Sequence, residues 1–161
     1  MALNSIGLFG ANLSISIFGV MNNRYEVTDM EGSPCCPLGP QTGGGNNNEW
    51  TTNAIDIMGF CNVTISVDYG TNVEPFECSA GGPFFACTGN PFTDDGHDQM
   101  VFEYSIDGGA FVQFGYLCGG GTGTATVAGL SGSTISVRVR PANKSVSETY
   151  WFDDVEITGS M

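Results

Sequence analysis

The chain has 161 residues, with 17 Asp and Glu against four Lys and Arg, a formal net charge of −13. Such length fits a single domain with its own core. The charge excludes nucleic acid and anionic lipid surfaces as partners, because both need clustered cations. Charged residues make up 13% of the chain, against about 25% in an average protein. Gly, Thr, Val, Ile and aromatics abound while Leu is scarce, a vocabulary for β-sheet rather than helix.

Residues 1–23 lack the cationic start of a secretory leader. No apolar run approaches the ~18 residues of a membrane helix, so membrane insertion is not expected. The chain therefore reads as a mature product or as a segment of a larger secreted protein. Within this stretch, residues 13–20 (LSISIFGV) are apolar and β-prone. They suit an extension or assembly strand, paired to an edge of their own sheet or a neighbour's. A strand is expected at 24–27.

Residues 33–48 (SPCCPLGPQTGGGNNN) form a first long loop, and strand signals resume at 54–57. Val63, Ile65, Val67 and Tyr69 then alternate with Thr64, Ser66 and Asp68, the period of a half-buried strand. A second long loop covers 73–98. Met100, Phe102, Tyr104 and Ile106 alternate with Val101, Glu103 and Ser105. Asp107-Gly108-Gly109 marks a hairpin, followed by strands at 111–116 and 124–127 and a turn at Leu130-Ser131-Gly132. Ile135, Val137 and Val139 alternate with Ser136, Arg138 and Arg140. In the last strand both phases carry aromatics, Tyr150 and Phe152 on one and Trp151 on the other. This predicts burial on both faces or a bulge. Roughly nine short strands without helices predict a single all-β domain over 1–161, an antiparallel β-sandwich of jelly-roll type with two long loops.

The six cysteines are Cys35, Cys36, Cys61, Cys78, Cys87 and Cys118. Without a CxxC pair, and with a single histidine, they suit disulfides in an oxidising compartment better than zinc. Cys78 and Cys87 flank a short Gly/Pro loop and make a local bridge the first choice. Adjacent Cys35 and Cys36 strain against pairing with each other and are expected to reach Cys61 and Cys118. Buried free thiols are the alternative.

Three stretches carry a family resemblance: EWTTNAIDIMGFCNVTISVDYG, DDGHDQMVFEYSIDGGAFVQF and GLSGSTISVRVRPANKSVSETYWFDDVEITG. They resemble a module common in large secreted proteins of Bacteroidetes-type bacteria, among them type IX-secreted, gliding-motility and adhesion proteins. The closing pattern is also similar to jelly-roll carbohydrate-binding modules and MAM-type domains. The resemblance implies an extracellular or cell-surface module. It also implies a structural calcium, held by an Asp of the last strand with acidic groups near the first strands. On this sequence those groups are Asp153 and Asp154 with Asp29 and Glu31. Solvated or capping aspartates are the alternative. Asp98, with Asp94, Asp95 and Glu74 or Glu77, forms a second acidic group without the order of an EF-hand loop.

Catalysis has little to stand on. His97 is a lone loop histidine, and no GxSxG elbow occurs. No catalytic residue is assigned. Sugar binding would use loop aromatics, with Phe84, Phe85 and Trp50 the leading candidates. Anchoring of those rings onto the core is the alternative. The resulting expectation is a non-catalytic extracellular structural or adhesive module, a repeating or polymerising filament subunit that associates with itself or with other surface domains. The alternative is a carbohydrate-binding module of a secreted enzyme, with a glycan as ligand.

Overall fold

The computed structural model describes residues 17–28, 49–72, 99–142 and 147–161. These hold ten strands: β1 (Ile17–Met21), β2 (Arg24–Thr28), β3 (Trp50–Thr51), β4 (Ile55–Asp56), β5 (Cys61–Thr71), β6 (Gln99–Ile106), β7 (Val112–Cys118), β8 (Thr122–Leu130), β9 (Thr134–Ala142) and β10 (Thr149–Ser160). No helix occurs among the described residues. The first sheet has the order β1-β2-β10-β5-β8 and the second β3-β9-β6-β7, with β4 also paired to β9. All described pairings are antiparallel. Leaving β1 aside, β2-β10-β5-β8 faces β3/β4-β9-β6-β7, the strand order of a jelly roll. β1 is an added strand on one edge.

The alternating apolar positions meet between the sheets. Val63, Ile65 and Val67 of β5, Met100 and Phe102 of β6, and Ile135, Val137 and Val139 of β9 are buried there with Val27, Tyr150 and Phe152. At about 1.5–3 kcal/mol for each large apolar side chain, this layer is the dominant favourable term. Tyr25, Trp50 and Phe152 close one end as an aromatic cluster, with centroid separations of 5.0–6.0 Å. The Tyr150 hydroxyl is buried and donates to the Gly119 carbonyl at 3.1 Å.

β10 shows why its sequence carried apolar residues on both phases. Tyr150 and Phe152 point inward. Between Asp153 and Glu156 the ladder to β5 shifts register, with two residues of β10 opposite one of β5. Asp154 takes a positive φ of 44° at this bulge. Beyond it Val155 and Ile157 pack on the core instead. The bulge thus converts an even-numbered inner face into an odd-numbered one.

Turn chemistry sets the hairpins. Asn22 and Asn23 both have positive φ, 52° and 65°, and close β1 onto β2 with Met21 opposite Arg24. Asn tolerates this conformation better than other non-glycine residues. Asp107 (φ 52°) and Gly108 (φ 70°) repeat the device between β6 and β7. The Asp107 carboxylate also accepts the backbone N–H groups of Ser133 and Thr134, each at 2.8 Å. One side chain thereby ties the β6–β7 turn to the β8–β9 turn.

Candidate functional site

The two outer faces differ in chemistry. On the second sheet, Glu103 of β6 lies directly opposite Arg138 of β9. Its carboxylate receives Arg138 Nε at 2.8 Å and Arg140 Nε and Nη2 at 2.8 Å each. Arg138 also reaches Glu49 at 3.4 Å, and its guanidinium lies 3.8 Å from the Phe111 ring centroid. A carboxylate this buried needs such partners, since an unpaired charge there would be prohibitive. The alternation of β6 and β9 placed these residues on the polar phase. Their mutual contact follows from strand pairing, which neither stretch reveals alone.

On the first sheet, Trp151 of β10 lies over Gly70 of β5, its cross-strand partner. Arg24 stands on the indole at 4.7 Å from its centroid and bonds Glu26 at 3.0 Å. Asn22 Nδ2 donates to the same carboxylate at 3.1 Å. Asp153 faces Asp68 across the ladder, and Asp68 accepts the Thr124 hydroxyl at 2.6 Å.

Of the carboxylates that the resemblance assigns to calcium, two lie among the described residues, both on β10. Asp153 is half-buried on the outer face and Asp154 is exposed at the bulge. Asp153 shares the outer phase of Trp151, and the bulge turns Asp154 out to solvent. Asp29, Glu31 and Asp98 lie outside the described residues. Among the described residues no group of three or more His, Cys, Asp or Glu is placed to hold a metal ion.

Trp50 is no exposed platform either. It packs inward against Tyr25 and Phe152, the core-anchoring alternative. Phe84 and Phe85 lie outside the described residues, as do Cys35, Cys36, Cys78 and Cys87. Cys118 is disulfide-bonded. Cys61, expected in a bridge, is an exposed free thiol. Its cross-strand partner is Ser160 rather than a cysteine, and its Sγ lies 3.4 Å from the Ser160 carbonyl oxygen.

The sheet edges are the remaining feature. β1 and β8 terminate the first sheet, and no described strand pairs with their outer edges. Neither strand contains a charged residue or a proline. Thr122, Gly123, Thr124 and Thr126 of β8 are exposed, as are Val20 and Met21 of β1. By contrast, the interior polar groups are spent: no buried side-chain N or O among the described residues lacks a hydrogen-bond partner.

No protein-family model matches the chain, and no curated protein matches it. Its functional reading rests on its own residues.

Proposed function

We propose that the chain is a non-catalytic, extracellular β-sandwich module that builds a secreted or surface assembly by joining copies of itself along its sheet edges. The pair of edges that no described strand covers carries this reading. Natural sheets guard exposed edges with Lys, Pro, inward charges or bulges. Here both ends of the first sheet lack charge and proline, in a chain with net charge −13. The acids and arginines of the first sheet sit on β2, β5 and β10, between those edges. Copies meeting edge to edge would keep their charges apart. The disulfide at Cys118 supports an oxidising compartment.

Edge pairing must overcome repulsion between acidic molecules, which salt screens within about 8 Å at physiological strength. Sedimentation velocity at low and near-physiological salt tests this. Association should rise with protein concentration and with salt. A monomer boundary that moves with neither would refute the reading. The carbohydrate alternative would instead show saturable retention on insoluble polysaccharide, lost on Phe84→Ala. Of its three aromatic candidates only Trp50 is among the described residues, and it is half-buried against the core.

A further inference from the structure

Of the four sheet edges among the described residues, β3/β4 offers only two residues per strand, which leaves three candidates for the junction. β1 has only five residues. β7 is uncharged, but its ladder to β6 is interrupted between Phe102 and Glu103, and its terminal Cys118 is disulfide-bonded. β8 is the longest of the three, with nine residues. Its run from Thr122 to Val127 pairs with β5 from Gly70 to Ile65 without interruption. The bulge of β8 comes only afterwards, where Gly129 takes φ 76°.

Resting on the self-association reading above, we infer that β8 is the junction, pairing antiparallel with β8 of a second copy about a two-fold axis at Thr124. The sequence of β8, TGTATVAGL, is self-complementary in this register. Thr122, Thr124 and Thr126 share the outer face, because their partners on β5 are Gly70, Asp68 and Ser66. Across the axis Thr124 meets its own copy, and Thr122 meets Thr126 twice. Threonine pairs of this kind are favourable cross-strand neighbours. On the other face Gly123 meets Ala125, two small residues, so the strands approach without a clash. The edge N–H and C=O groups that no described strand pairs find partners in the other copy.

Charge selects the occupant. A second copy presents an uncharged strand at this junction. The nearest carboxylates in the joined sheet would be the two Asp68 side chains, each one strand in from β8. Their β5 strands would lie three strand spacings apart, about 14 Å, with each carboxylate held by the Thr124 hydroxyl of its own copy. An isologous junction of this type closes as a dimer. It also joins two first sheets into one continuous ten-stranded sheet that ends in β1 on both sides.

The test is site-directed crosslinking in the full chain, in a Cys61→Ser background that removes the exposed thiol among the described residues; the same background without Thr124→Cys is the control for crosslinking through the other cysteines. With Thr124→Cys the two new thiols face each other across the axis, and mild oxidation should trap a dimer on non-reducing electrophoresis. Ser66→Cys, one strand inward on the same face, should stay monomeric. The pair Thr122→Glu with Thr126→Glu opposes like charges twice and should weaken the dimer by about tenfold. Crosslinking at position 124 together with weakening by the Glu pair supports the proposal. If the native chain dimerises but position 124 does not crosslink, the β8 junction is overturned while self-association stands. If the native chain is monomeric at all concentrations, both fall.

Discussion

The indole of Trp151 lies flat over Gly70, so close that a Cβ built on Gly70 would fall 2.3 Å from the ring carbon Cζ2. The two residues face each other on adjacent strands of the first sheet. A side chain at position 70 would push the ring off the sheet and out from under Arg24. Gly70→Ala should therefore destabilise the domain by about 1–3 kcal/mol, the usual cost of overpacking. Gly19→Ala, where nothing lies within 4 Å, is the control and should be nearly neutral. Chemical denaturation measures both, and Trp fluorescence in the folded state should shift only in the first.

Glu103 holds two arginines at once. Glu103→Gln removes the charge and leaves Arg138 and Arg140 facing a neutral amide. Loss of one partner in a fully buried ion pair costs about 3–5 kcal/mol. The two guanidinium side chains keep 20% and 26% of their surface exposed. The expected loss is accordingly smaller, about 2 kcal/mol, read as a lower denaturation midpoint with unchanged slope. Adding Arg140→Leu should recover part of it, because only Arg138, which also reaches Glu49, then faces the amide.

Asp153 and Asp68 oppose each other with like charge. Directly opposed like charges on a sheet cost roughly 0.2–1 kcal/mol. Asp153→Asn should raise the melting temperature slightly at low salt, and the gain should shrink as salt screens the pair. Should the variant instead melt lower in calcium than the native chain does, a bound cation rather than simple repulsion governs this site.

Asp107 joins two turns through its carboxylate. Asp107→Ala removes two charge-assisted hydrogen bonds and places Ala at a positive φ. A loss of about 2–3 kcal/mol is expected. Asp107→Asn tolerates the backbone and retains an acceptor, so it should restore most of the stability. Equal losses in the two variants would show that the tie contributes nothing beyond charge.

Much of the architecture was legible because period-two alternation reports which face is buried. Val63 to Val67, Met100 to Phe102 and Ile135 to Val139 all lie where their patterns placed them. The jelly-roll order followed from many short strands with glycine turns. Less was legible in β10, where Tyr150 to Ile157 carries a phase change. A bulge was one of two readings, and only the ladder to β5 distinguishes them. For Trp50, sugar platform and core anchor both stayed open, because β3 is only two residues long and shows no alternation. The contacts of Glu103 with Arg138 and Arg140, and of Trp151 with Gly70, are long-range. They depend on which strands become neighbours, and no local pattern encodes that. The disulfide expected at Cys61 failed for the same reason, since its neighbour across the ladder is Ser160.

The central claim is that copies of this acidic sandwich associate through uncharged sheet edges. Static light scattering of the unmodified full chain, over a wide concentration range at near-physiological salt, tests it most directly. The mass should climb from the 16.9 kDa of one chain to at least twice that value. A mass fixed at 16.9 kDa at every concentration would contradict it.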